Sequence, residues 1–126
     1  MADSHLAESR ALIREQVQQA RARADIAQEA IDRTRATKAT ASSTAGEVVV
    51  TARADGTVTD IQFSHKAEAV DLDQLGRLLV TTIDQAQQRA ARAAVAGARA
   101  ELGDSGFVEV LAARVDERYG PEPTNR

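Results

Sequence analysis

The sequence predicts an α+β protein in which a long helix, a small antiparallel sheet of two or three strands and a second long helix follow one another. Two long stretches repeat apolar or alanine positions at spacings of three and four, which is typical of helices. Between them, valines alternate with other residues, and Asp55-Gly56 marks a turn. Because a small sheet with one apolar face needs a cover, we expect two chains to complete the fold as an entwined homodimer.

The composition also favours association of two chains. Of the 126 residues, 43% are hydrophobic, but many of these are alanine, and only 2% of the chain is aromatic. Burial yields roughly 25 cal/mol per Å² of apolar surface, so a small alanine-rich monomer gains little from its own core. The chain has no cysteine, which excludes disulfides and thiolate metal sites.

The first helix is predicted over about Ser4 to Thr34, with Ser4 as its N-cap. Its apolar positions form a narrow seam of the kind that packs against another helix in a coiled coil. We expect this seam to contribute to the dimer interface, chiefly through its larger members. The seam consists of Ile13, Val17, Ala20, Ala24, Ala27 and Ile31.

The sheet is predicted to follow this helix. Residues 36–45, rich in Ala, Ser and Thr, form either a linker or a short edge strand. The next two strands are separated by Asp55-Gly56, for which we predict a two-residue type I′ turn that sets Ala54 opposite Thr57. That register places four large apolar residues on one face, which we expect to contribute to the dimer interface. The pairs are Val48 with Phe63 and Val50 with Ile61, whereas Thr51 pairs with Asp60 and Arg53 with Val58 on the other face.

The second long helix is predicted from Leu72 to about Glu101, with Asp71 at its N-cap. Its seam begins with large residues, among which we assign Leu75 and Leu79 to the dimer interface, and ends with Ala93 and Gly97. Glycines then interrupt the pattern. We therefore divide the chain into residues 1–102, which fold and dimerise, and residues 103–126, which form a short amphipathic helix and a disordered tail.

The stretch from Gly46 to Ala94 resembles the YbaB/EbfC family of nucleoid-associated proteins. A glycine precedes a Val-rich strand, a glycine-containing turn and a return strand, which read GEVVVTARADGTVTDIQFS. The following helix, DLDQLGRLLVTTIDQAQQRAARA, carries Leu and Ala in the family's spacing. One departure is Ser64-His65, where the family often has Asp-Pro. The resemblance implies a DNA-binding homodimer that has no enzymatic activity and resides in the cytoplasm at the nucleoid.

Arginines on the first helix are the leading candidates for DNA contacts. At 100° per residue, Arg10, Arg14 and Arg21 lie within about 40° of one another beside the seam. They form either a phosphate-contacting stripe or a solvated face in which Arg21 pairs with Asp25, and Glu29 with Arg33. The helix end and the next segment add Arg33, Arg35 and Lys38.

A second basic patch is predicted on the second helix, where the neighbouring residues are mostly Ala and Gln and few acids are close in sequence. The patch forms either a solvated face or a surface for backbone phosphates, and we assign it to DNA contacts as well. Its members are Arg89, Arg92 and Arg99. Because aromatic residues are scarce, base stacking on single strands is excluded as a main mode of binding, and phosphate contacts to duplex DNA are expected.

Other functions have less support in the sequence. His5 and His65 have no partner at metal-ligand spacing, and no catalytic or cofactor motif occurs, so we expect no enzyme, metal or cofactor. No apolar run approaches the roughly 20 residues that span a membrane, and no signal peptide is expected. The net charge of −3 leaves one alternative open: an adaptor of the same fold, serving a secretion system, that binds a protein partner through its C-terminal segment.

Overall fold

The computed structural model describes residues 2–121 and confirms the predicted α+β class. Its helices are α1 (Ala2–Ala36), α2 (Leu72–Leu102) and α3 (Gly106–Tyr119), with a 3-10 helix at His65–Ala69. The strands β1 (Lys38–Ser42), β2 (Val48–Arg53) and β3 (Val58–Phe63) form one antiparallel sheet in the order β1-β2-β3. The chain divides into one unit that ends at Asp32 and another that begins at Arg33. The predicted disorder of residues 122–126 lies outside the described residues.

The first helix is longer than predicted by two residues at each end. Ser4 lies in the first turn and not at the N-cap, because the helix already begins at Ala2, where Asp3 adds a favourable charge at the N-terminal end of the dipole. All side chains from residue 3 to residue 29 are exposed. The seam is therefore an open apolar stripe on this helix.

The segment after α1 forms an edge strand, which decides between the two predicted alternatives. In β1, Ala41 is buried and lies opposite Val50 of β2. On the other face, the hydroxyl groups of Thr40 and Thr51 are 3.0 Å apart and hydrogen-bonded across the strands. Small residues suit this strand because its inner face lies under a helix.

The hairpin between β2 and β3 has a three-residue loop, so the predicted type I′ turn is wrong. The N–H of Arg53 donates to the carbonyl of Thr57 at 2.8 Å, and the N–H of Gly56 donates to the carbonyl of Arg53 at 3.0 Å. A type I′ turn needs positive φ at both central residues. Between residues 2 and 121, only glycines have positive φ, among them Gly56 at 95°.

A β-bulge in β3 compensates for the extra loop residue. Ala52 lies opposite Val58, whereas Thr51 lies opposite Asp60, so that Thr59 is the additional residue. Beyond the bulge, the predicted pairs Val48 with Phe63 and Val50 with Ile61 are confirmed. The predicted pairing of Ala54 with Thr57 and of Arg53 with Val58 is wrong, because both lie on the loop side of the bulge.

The main core lies between the sheet and α2, which packs across β1 and β2. Val48, Val50 and Ala52 are fully buried there together with Ala86 of α2. The Gln87 side chain fixes the hairpin by donating to the carbonyl of Gly56 at 2.8 Å. Because the buried residues are valine and alanine, the core is thin, as the composition indicated.

The third helix packs against the second half of α2. Ala91 and Val95 of α2 are buried with Val115 of α3, and Tyr119 packs beside them. Ala93 and Gly97, at the far end of the predicted seam, are exposed in the single chain. Burial shifts around α2 because its first half faces the sheet and its second half faces α3.

The N-cap of α2 offers a test of this helix start. Asp71 accepts a hydrogen bond from the N–H of Gln74 at 2.9 Å, as predicted for an N-cap. Asp71→Ala is expected to lower the free energy of unfolding by about 1 kcal/mol, because the capped N–H loses its acceptor. Urea denaturation measures this loss. Asp73→Ala removes a first-turn acid without removing the cap, so an equal loss in that control contradicts the capping role.

The hairpin loop is expected to make stability depend on acid pH. The Thr57 N–H donates to Asp55 at 2.8 Å. This hydrogen bond, assisted by the charges of Arg53 and Arg35, lowers the pKa of Asp55 below its ordinary value of 3.8. The stabilising contribution is therefore complete above pH 3.8 and is lost as the pH falls through the lower folded-state pKa.

The measurement compares the wild-type protein with Asp55→Asn, which keeps an acceptor for Thr57 but cannot titrate. We expect the advantage of the wild-type protein in unfolding free energy to shrink as the pH is lowered. A difference that stays constant across the acid range shows that the Asp55 charge has no such role.

Candidate nucleic-acid interface

The arginine stripe of α1 is built by helical periodicity alone. Arg10, Arg14 and Arg21 are exposed on a continuous helix, where 100° per residue places them within about 40° of one another. At 1.5 Å per residue, the stripe is about 16 Å long. Arg23 is exposed on the opposite side of the same helix. In the described part of α1, the alternative pair between Arg21 and Asp25 does not form an ion pair within 4.0 Å.

The end of α1 and the start of the sheet place further cations close together. Lys38 lies directly opposite Arg53 across β1 and β2, on the sheet face that α2 leaves open. Arg35 is close enough to help to lower the pKa of Asp55. The sequence interpretation missed Arg53, because its position depends on the pairing of β1 with β2, which was left open. Arg33 lies 3.4 Å from Glu101 and forms no ion pair with Glu29, the partner that the alternative interpretation gave it.

The arginines of α2 have protein partners. The Arg89 guanidinium donates to the carbonyl of Thr40 at 3.1 Å, which ties α2 to β1. Arg92 donates to the carbonyl of Gly120 at 2.8 Å and lies 3.5 Å from the Asp116 carboxylate. These bonds connect α2 to the edge of the sheet and to the end of α3.

Arg99 also has acidic neighbours. It lies 3.3 Å from Asp104 and 3.9 Å from Glu109. The prediction that this patch lacks neighbouring acids is therefore wrong. The acids come from the segment after α2, which helix periodicity on α2 could not place.

The residues assigned to the dimer interface fall into two groups. Val48 and Val50 are fully buried in the core of their own chain, and Leu75, Leu79 and Ile31 are partly buried. The other large apolar residues are exposed. Their exposed fractions are 59% for Ile13, 43% for Val17, 39% for Ile61 and 53% for Phe63.

The exposure of β3 has a geometric reason. Phe63 and Ile61 share a sheet face with Val48 and Val50, as their register requires. However, α2 packs chiefly over β1 and β2. The apolar face of β3 consequently extends beyond the helix and is open to another molecule.

No other kind of site emerges from residues 2–121. These residues contain no group of three or more His, Asp or Glu side chains that could hold a metal ion. Within the same part of the chain, no helix has the length and apolar character needed to cross a bilayer.

The fold and these surfaces define a class of α+β protein that carries an exposed arginine stripe on a long helix and an open apolar face on an edge strand. The chain belongs to the YbaB/EbfC DNA-binding family, which its residues 10–103 match. This match covers the stripe, the sheet and α2, and it ends before α3 begins. The search of curated proteins found no match to the chain. The family assignment confirms the resemblance drawn from residues 46–94 and makes the protein a member of a nucleoid-associated group.

Proposed function

We propose that the protein acts as a homodimer that binds duplex DNA through the phosphate backbone, with little sequence preference, at the nucleoid in the cytoplasm. The observation that carries this proposal is the open stripe of Arg10, Arg14 and Arg21 within the family-matched segment. Guanidinium groups on one side of a straight helix can follow a row of phosphates, and such contacts carry no sequence information. The protein acts by binding and catalyses no reaction.

The positions of the aromatic residues favour duplex over single-stranded DNA. Recognition of single strands commonly uses aromatic rings as stacking platforms for bases. Tyr119 is partly buried between α2 and α3, with the Arg118 guanidinium 5.4 Å from its ring centre. Phe63 lies on the apolar sheet face. The described residues therefore offer no row of exposed rings beside the arginine stripe.

Dimerisation follows from the apolar surfaces that one chain leaves open. Ile61 and Phe63 lie on the uncovered part of the sheet face, and Ile13 and Val17 lie on the open seam of α1. A second copy of the chain presents the same surfaces, so each surface can pack against its counterpart in a symmetric dimer. The dimer also doubles the number of arginine stripes.

A gel-shift titration with duplexes of unrelated sequence, at rising salt, tests the proposal. We expect a dissociation constant of about 10⁻⁴ to 10⁻⁶ M at physiological salt, as is typical of non-specific binding, and much tighter binding at low salt. Affinity that does not change with salt, or that differs strongly between the duplexes, contradicts phosphate-dominated binding. The mass of the free protein, measured alongside by light scattering, tests the dimer.

A second candidate function is that of a protein-binding adaptor. Phe107 and Val110 of α3 are 38% and 55% exposed, on a helix outside the family-matched segment. Deleting residues 107–126 separates the two functions. Loss of a co-purifying protein partner, with no DNA shift in either form, supports the adaptor, whereas a DNA shift that survives the deletion supports DNA binding.

A further inference from the structure

The third helix lies against Arg92 and Arg99 of α2, two of the arginines for which the sequence predicts DNA contacts. It begins at Gly106, beyond the family-matched residues 10–103. It is held by an apolar contact in which Val115 packs against Ala91 and Val95 with Leu111 and Tyr119 beside them, and its Val108 is fully buried. The helix therefore lies outside the family-matched segment, and α2 contributes alanine and valine to the contact.

Acidic residues of α3 and of the segment before it form ion pairs with two arginines of α2. Asp104 and Glu109 lie 3.3 Å and 3.9 Å from the Arg99 guanidinium, and Asp116 lies 3.5 Å from that of Arg92. Three carboxylates thus form ion pairs with two guanidinium groups. The Arg92 side chain is only 18% exposed, because it also donates to the carbonyl of Gly120 at the end of α3.

We propose that α3 and Asp104, which directly precedes the N-cap residue Ser105, form a displaceable acidic cover. The cover lies over a second phosphate-binding surface that consists of Arg92 and Arg99. This inference rests on the proposed function. Carboxylates and DNA phosphates are both oxyanions that bind guanidinium groups, so they compete for the same two side chains. In the free protein, the cover neutralises this surface and leaves the α1 stripe to make the first contacts.

Competition is easiest at Arg99, which is 48% exposed, and the acidic partners of both arginines are exposed. The carboxylate side chains of Asp104, Glu109 and Asp116 are 82%, 63% and 54% exposed. Exposed ion pairs are weak and screened by salt. A row of phosphates, by contrast, presents closely spaced charges and releases counterions on binding. Once the α1 stripe holds a duplex, the duplex is tethered to the chain, and the raised effective phosphate concentration favours exchange of the partners of Arg99 and Arg92.

The experiment neutralises the cover while leaving the arginines in place. The variant carries Asp104→Asn, Glu109→Gln and Asp116→Asn. The matched control removes the same amount of charge from three exposed acids that form no ion pair among residues 2–121, by Glu68→Gln, Asp84→Asn and Glu117→Gln. Circular dichroism and thermal unfolding verify that both variants are folded.

Duplex affinity is then measured against salt for the wild-type protein and both variants. We expect the cover variant to bind duplex DNA about tenfold more tightly than the control at moderate salt. The slope of log K against log salt should be steeper by about 2 for each chain whose Arg92 and Arg99 contact phosphates. Adding Arg92→Ala and Arg99→Ala to the cover variant should abolish this gain. Equal affinities and slopes for the cover variant and the control overturn the inference.

The outcomes also separate this inference from the proposed function. If the wild-type protein binds duplex DNA and the cover variant matches the control, only the acidic cover is refuted. If no form binds at low salt, both proposals are refuted. If only the cover variant binds, the cover is confirmed and the wild-type protein is held in an inhibited state.

Discussion

Replacing Arg10, Arg14 and Arg21 together by Ala is expected to reduce duplex DNA affinity by on the order of ten-thousandfold at physiological salt, so that binding is measurable only at low salt. The two stripes of a dimer supply six cations, and each neutralised phosphate contributes about 0.9 to the slope of log K against log salt. The slope should therefore become shallower by about 5. Fluorescence anisotropy with a labelled duplex, over a range of salt concentrations, measures both quantities.

The matched control for this variant is Arg23→Ala, on the opposite side of α1. Alanine is the best helix former, so neither substitution should disturb the helix. The control should show nearly the affinity and slope of the wild-type protein. If the triple variant keeps the slope of the wild-type protein, or if Arg23→Ala alone produces the full loss, the α1 stripe does not make the phosphate contacts.

The second large effect is expected at the open face of β3, where Ile61→Asp combined with Phe63→Asp should convert the dimer to a monomer. These two side chains are 39% and 53% exposed in the chain and are proposed to be buried against the partner. Burying an unpaired carboxylate is strongly unfavourable, so two acids at each side should abolish association. Sedimentation should then give the chain mass of 13.4 kDa instead of twice that value.

Gln62 supplies the control for this experiment. It lies between the two residues on the opposite face of β3 and is exposed. Gln62→Asp should leave the dimer mass unchanged. The double variant should also bind DNA more weakly, because its two stripes are no longer linked. A wild-type protein that is monomeric at micromolar concentration excludes this interface.

Much of the fold could be predicted from the sequence because its elements are long and strictly periodic. The spacing of apolar residues on α1 and α2 placed both helices to within a few residues. The pairs of Val48 with Phe63 and Val50 with Ile61 followed from the alternation that one buried face imposes. The strand β1 was harder, because Ala, Ser and Thr are compatible with both a strand and a linker.

The errors arose where the outcome depends on contacts distant in sequence. The turn was assigned from Asp55-Gly56, but the ladder accommodates a longer loop with a bulge, and no residue-type pattern distinguishes the two solutions. The arginines of α2 were interpreted as unpaired because Asp104, Glu109 and Asp116 come close only when α3 folds back. The stripe on α1 needed no such information, since a single helix defines it.

The bulge at Thr59 has a consequence for how this chain is compared with its relatives. Val58 faces inward beside the core, while Thr59 is an additional residue outside the alternation of β3. If Thr59 is omitted, the inward and outward positions of β3 become continuous and Val58 still faces inward. The strand can therefore lose this one residue without a change in which side chains face the core. Homologous hairpins that are one residue shorter at this point can share the same inner face, and a single-residue gap in an alignment belongs at this position rather than in the loop.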